Sequence, residues 1–166
     1  MSASEPIRLS VIVPAYNEER NVPRMAEELT AACLKLAVPY EIIFIDDGSQ
    51  DGTFEALRRA RREDARIKVI RFRKNFGQTA ALSAGFDYAR GEIVVTIDAD
   101  LENDPSDMGA LVAKIEEGYD LVSGWRKDRW KKHFLTRRLP SLMANGLISR
   151  ITKVKLRDYG CTLKAY

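Results

Sequence analysis

Asp98 and Asp100 stand two residues apart at the end of the run GEIVVTIDAD. Two carboxylates so spaced converge on one divalent cation when the chain curls. Their hard oxygens select Mg²⁺ or Mn²⁺, which keep coordination positions open for phosphate oxygens. An isolated Asp-x-Asp more often caps a helix or decorates a turn. Here Asp104 suits the cap of a helix that Pro105 opens, and Glu102 adds a third carboxylate, which weakens the cap or turn reading and leaves a metal set of Asp98, Asp100 and Glu102 beside it. Asp46 and Asp47, before Gly48, read either as a tight turn or as acceptors for a base edge or a ribose hydroxyl. Pro14 to Glu19 offers a similar choice: Tyr16 as a stacking wall and Glu18 as a base-edge acceptor, or Asn21 as the plain cap of a helix beginning at Val22.

These residues need elements to hold them. Short runs rich in Val and Ile fall at Leu9–Pro14, Tyr40–Asp46, Ile67–Phe72, Gly91–Asp98 and Tyr119–Ser123, as strands covered on both faces do. Helical stretches lie between them, at about Val22–Leu36, Thr53–Arg62, Thr79–Ala89 and Pro105–Glu117. Strict alternation predicts an α/β protein with an open, mostly parallel sheet and helices on both faces. Ligands of such sheets bind beyond the carboxyl ends of the strands, and these three clusters, with a fourth at Arg73–Gly77, all follow strands.

With 166 residues, 45% hydrophobic and 31% charged, the chain has the size and composition of one globular domain, residues 1–166. No apolar run reaches the roughly 18 residues of a membrane-spanning helix, and the first nine residues do not form a signal peptide. Cys33 and Cys161 are too few for a disulfide framework or a zinc site. The dinucleotide glycine fingerprint, the P-loop, the zinc-protease motif and the nucleophile elbow are all missing. His133, the single histidine, sits in a basic run and reads as surface.

Charge is split along the chain. Residues up to Gly124 carry 15 Lys and Arg against 22 Asp and Glu, whereas Trp125 to Tyr166 carries 12 against 2. A basic segment attracts phosphate-bearing partners, whether nucleic acid, an anionic lipid surface or a phosphorylated substrate, or it is a solvated face. Within it Phe134, Leu135, Leu139, Leu142, Met143 and Leu147 recur at helical spacing, which predicts an amphipathic helix on the sheet or on a membrane surface.

The succession PAYNEE, IDDGSQDGT, RKNFGQTAALSAGFDYARGE, DADLENDP and GYDLVSGWR resembles the inverting glycosyltransferases of family 2, and most of all the polyprenyl-phosphate glycosyltransferases among them. The motifs run in order from Ser10 to Lys164. The resemblance implies a GT-A (Rossmann-like) fold, a nucleotide-sugar donor and Mg²⁺ or Mn²⁺. Position by position it implies Pro14, Tyr16 and Glu18 at the nucleobase, Asp46 or Asp47 on base and ribose, and Asp98 and Asp100 on the metal and the donor diphosphate. Glu102 stands where the family commonly has Gln. Arg126, Arg137, Ser141 and Asn145 match the acceptor-phosphate positions, and Asp158 matches a late catalytic Asp.

A polyprenyl-phosphate acceptor at the cytoplasmic face of a membrane accounts for the charge split, since a lipid phosphate needs cations. An ionised phosphate is already a nucleophile, so the implied reaction needs no strong general base. Two other readings stand beside it: a family 2 transferase acting on a glycan hydroxyl, and a non-catalytic module binding a nucleotide or an anionic lipid. Nucleic acid is not an expected partner, because the acidic cleft would repel its backbone. Relatives continue past the position of Leu163-Lys164, which implies a chain cut short of full activity and firm membrane attachment but able to bind donor and metal.

Overall fold

The structure, a computed structural model, describes residues 6–125 and 160–166. Strand β1 (Leu9–Ala15) leads to α1 (Val22–Leu36), β2 (Tyr40–Asp46), α2 (Thr53–Glu63), β3 (Ile67–Arg71), α3 (Gln78–Tyr88) and β4 (Ile93–Thr96). A 3-10 turn at Pro105–Asp107 then opens α4 (Met108–Glu116), and two short strands, β5 (Val122–Ser123) and β6 (Lys164–Ala165), complete the sheet. The strand order is β3-β2-β1-β4-β6-β5. Pairing is parallel from β3 through β4, while β6 runs antiparallel to both neighbours. This is the expected α/β architecture.

Why these residues make this sheet follows from side-chain alternation. Leu9, Val11, Val13 and Ala15 of β1 join Ile42 and Phe44 of β2 in one core with α1, α2 and α4. Ile12, Ile43 and Ile45 point the other way, against Ala81 of α3. Along α1 the buried residues Val22, Met25, Ala26, Leu29, Ala32 and Cys33 recur at helical spacing, so one stripe docks on the sheet. Burying Met25 or Leu29 fully contributes about 1.5–3 kcal/mol. On the opposite face α3 approaches so closely that a Cβ on Gly85 would lie 2.3 Å from Ile12 Cγ2, which only glycine avoids.

Most predicted bounds agree with the structure to within a residue or two. The fourth strand ends at Thr96 rather than Asp98, and the fifth shrinks to Val122–Ser123. Asp104 caps as expected, accepting the Ser106 amide at 2.8 Å. Asn21 does not cap α1 with its side chain. Its Nδ2 instead donates to Glu18 Oε2 at 2.6 Å.

The two ends of the sheet are closed differently. At the amino end of the sheet, buried Glu41 accepts the Ser10 hydroxyl at 2.7 Å and the Arg90 amide at 2.8 Å, and pairs with Lys68. This knots the chain after α3 to the starts of β1, β2 and β3, far from the polar strand ends. At the other end, the Gly124 amide donates to the Leu163 carbonyl at 2.8 Å. Gly124 and Leu163, which bracket residues 126–159 with their eleven Lys and Arg against two Asp, therefore lie side by side near the carboxyl end of β4. The expected amphipathic helix, and with it Arg126, Arg137, Ser141, Asn145 and Asp158, lies outside the described residues.

Candidate active site

Strand order reverses between β1 and β4, and a cleft of about 280 Å³ opens beyond the carboxyl ends of these two strands. A switch point is where open α/β sheets hold ligands. The lining comprises Pro14, Ala15, Tyr16, Glu18, Asp47, Asn75, Gly77, Gln78, Ala81, Asp98, Ala99 and Asp100. Pro14, Tyr16, Glu18, Asp47, Asp98 and Asp100, singled out from sequence, thus meet in one place. Asp46 is fully buried and is not in the lining.

The wall after β1 is tied to the loop after β2. Asn17, in the left-handed backbone region at φ +58°, donates its amide to Ser49 Oγ and accepts the Gln50 amide on Oδ1. The Glu18 amide donates to Thr53 Oγ1 at 2.7 Å, and the Glu19 carboxylate accepts the Gly52 amide at 3.1 Å. Asp51 receives the Thr53 hydroxyl and amide; burial pushes its carboxyl up, but these bonds outweigh it and hold the group below its ordinary value. Tyr16, 42% exposed, lines the cleft.

The two neighbouring aspartates divide the work. Asp46 Oδ1 accepts the Ser49 amide at 2.9 Å and its Oδ2 lies 3.4 Å from Arg71 Nε, so this carboxylate builds the turn. Asp47 reaches sideways and accepts the amides of Phe76 and Gly77 from the loop after β3. That loop crosses so close that a Cβ on Gly48 would lie 2.3 Å from the Lys74 carbonyl carbon. The glycine of IDDGS is therefore required twice, for this crossing and for its φ of +68°.

On the far wall, Asp98 accepts Gln78 Nε2 at 2.6 Å and Thr162 Oγ1 at 2.5 Å. Asp100 is exposed and closes a turn by accepting the Glu102 amide at 2.9 Å, with Leu101 held left-handed at φ +61°. A leucine in that region costs about 1–3 kcal/mol, a local strain at the point where the two carboxylates are presented. Glu102 does not join them: among the described residues no three His, Cys, Asp or Glu side chains form a metal-holding group. Asn75 comes from the polar end of the third strand, whereas Gln78 and Thr162 are candidate-site residues that the sequence did not single out. Gln78 lies inside the NFGQ motif, but no local pattern connects Thr162 to Asp98.

Charge sets what this cleft accepts. Glu18, Asp47, Asp98 and Asp100 line it, and no Lys or Arg stands among the described lining residues. A diphosphate is repelled there unless a cation intervenes. Two carboxylates with no soft ligand fit Mg²⁺ or Mn²⁺, which bind through one or two carboxylates together with substrate phosphates.

A mostly parallel α/β sheet with a carboxylate-lined cleft at its switch point is the GT-A arrangement. It superposes on glucosyl-3-phosphoglycerate synthase from Mycobacterium tuberculosis, solved with Mn²⁺, UDP and glucosyl-3-phosphoglycerate, with a TM-score of 0.71 over 96% of this chain and 56% of that one, at 22% identity. The model of glycosyl transferase family 2 matches residues 10–166, and the chain belongs to that family.

Among curated relatives, dodecaprenyl-phosphate galacturonate synthase of Rhizobium johnstonii is 46% identical over 162 residues, 96% of this chain and 48% of the relative. Undecaprenyl-phosphate 4-deoxy-4-formamido-L-arabinose transferase of Pseudomonas fluorescens is 42% identical over 159 residues, 95% of this chain and 46% of its own length. The chain spans about half the length of the curated relatives it matches. The mannosyltransferase PcManGT of Pyrobaculum calidifontis, solved with GDP-Man and Mn²⁺, is 30% identical with a TM-score of 0.52, over 67% of this chain and 32% of that one.

Proposed function

We propose that this chain carries the donor-binding and catalytic core of an inverting glycosyltransferase that moves a sugar from a nucleoside diphosphate to a polyprenyl phosphate. The observation that carries the reading is the meeting of Asp98 and Asp100 with the Pro14–Glu18 wall in one acidic cleft at the switch point. The relatives named for dodecaprenyl- and undecaprenyl-phosphate substrates support the acceptor class. The Mn²⁺-bound mannosyltransferase supports the metal.

In this reading Tyr16 stacks on the base, Pro14 and Glu18 complete that wall, and Asp47 shapes the floor. Asp98 and Asp100 hold Mg²⁺ or Mn²⁺, which would neutralise charge on the departing diphosphate. Arg126, Arg137, Ser141 and Asn145 receive the acceptor phosphate, as their match to the family pattern implies, and Asp158 takes the late catalytic position. Thr162, three residues beyond the basic stretch 126–159, bonds to Asp98 of the cleft wall, which supports an acceptor arriving from that side. An acceptor phosphate oxygen attacks the anomeric carbon as the bond from that carbon to the donor's diphosphate oxygen breaks. The electron pair leaves with the nucleoside diphosphate, and the anomeric centre inverts. Because the nucleophile is already ionised, positioning and charge stabilisation supply the rate. A nucleotide-sugar donor and a lipid-linked acceptor together favour work at the cytoplasmic face of a membrane; among the described residues no helix is long and apolar enough to cross one.

The test is transfer of label from radiolabelled UDP- and GDP-sugars to undecaprenyl phosphate in detergent. Metal-dependent appearance of label in an organic-extractable, mild-acid-labile product supports the reading. Label transferred to a glycan hydroxyl while undecaprenyl phosphate stays unlabelled contradicts it.

A further inference from the structure

Asp98 is held from two sides by neutral donors that come from distant parts of the chain. Gln78, the first residue of α3, donates Nε2 to Oδ1 at 2.6 Å, and Thr162, just before β6, donates Oγ1 to Oδ2 at 2.5 Å. We propose that Gln78 and Thr162 are positioning residues that fix the Asp98 carboxylate for the divalent cation, an inference that rests on the donor-site reading above.

The chemistry of the two donors suits that task. An amide and a hydroxyl orient both carboxylate oxygens and add no positive charge of their own. Each donor is itself fixed. Asp47 accepts the amides of Phe76 and Gly77, immediately before Gln78, so the start of α3 cannot drift. Thr96 Oγ1 donates to the Thr162 carbonyl at 2.6 Å, and the neighbouring Cys161 thiol donates to buried Asn103 at 3.5 Å, so Thr162 is pinned to the same loop that carries Asp98. Asp100, by contrast, is exposed and has its own turn as its support. The arrangement makes Asp98 the preset ligand and Asp100 the adaptable one.

The test uses Gln78→Met and Thr162→Val, which keep shape and remove the donor, with Thr162→Ser as the conservative control. UDP and GDP are titrated calorimetrically over a range of Mn²⁺ concentrations, and urea unfolding is followed in parallel. Each of the first two variants is expected to raise the Mn²⁺ concentration for half-maximal nucleotide binding by about 10–100-fold. Nucleotide affinity then recovers at saturating Mn²⁺, the urea midpoint stays near wild type, and Thr162→Ser behaves as wild type. An unchanged Mn²⁺ requirement in both variants overturns the inference, as does a loss that no Mn²⁺ concentration repairs. Absence of binding by the wild type fails the donor-site reading instead, so the two failures are told apart.

Discussion

The Asp47 carboxylate and the Phe76 amide meet at 2.7 Å, and the second oxygen of Asp47 takes the Gly77 amide at 2.9 Å. An aspartate at the end of β2 thus sets where α3 begins, and with it where Gln78 points. Asp47→Ala strands two amides and is expected to cost about 1–3 kcal/mol in urea unfolding. Asp47→Asn keeps one good acceptor and should cost less. Equal stability of the alanine variant and the wild type would show that the clasp is not made in solution.

Gly48 lies beneath the same loop. Gly48→Ala combines a left-handed φ with a Cβ 2.3 Å from backbone, so about 2–4 kcal/mol of destabilisation is expected. Chemical denaturation gives the value, and a loss under about 0.5 kcal/mol, the scale of an ordinary surface substitution, would mean that the crossing is looser than the structure has it.

Glu41 gives the fold a pH signature. Burial pushes its carboxyl up, but hydrogen bonds from Lys68, Ser10 and the Arg90 amide together outweigh it and hold the group below its ordinary 4.5. A depressed folded value means that its stabilisation is complete above the unfolded value and is lost as pH falls through the folded one. Glu41→Gln should therefore lower stability at pH 7 by about 1–3 kcal/mol and flatten the acid limb of the stability profile below about pH 4.5. An acid limb identical in variant and wild type would remove Glu41 as its source.

Much of this was legible in the sequence, because the relevant signals are local. Apolar runs at β1 and β2 have the length and β-branching of covered strands, and Asp104-Pro105 marks a helix start by its own chemistry. The strand-end carboxylates could be placed because alternation fixes which ends share an edge. What escaped was pairing between distant residues. β6 has two residues and no periodicity to detect. Thr162 reaches Asp98 across 64 positions, and nothing in either neighbourhood announces it. Asp46 and Asp47 look alike in sequence and part only when one is buried in its own turn while the other grips a neighbouring loop. Asn21 has the right type for a cap, but its side chain instead donates Nδ2 to Glu18.

In the proposed function the acidic cleft takes a nucleoside diphosphate only together with a divalent cation. Calorimetric titration of UDP and GDP, each with and without Mn²⁺, tests it most directly, with Asp100→Ala beside the wild type. Asp100 is exposed, so its removal leaves the fold intact. Binding of one nucleotide by the wild type in Mn²⁺ alone, lost in Asp100→Ala at an unchanged unfolding midpoint, is the predicted result. Equal binding without metal, or unchanged binding by Asp100→Ala, would contradict the account.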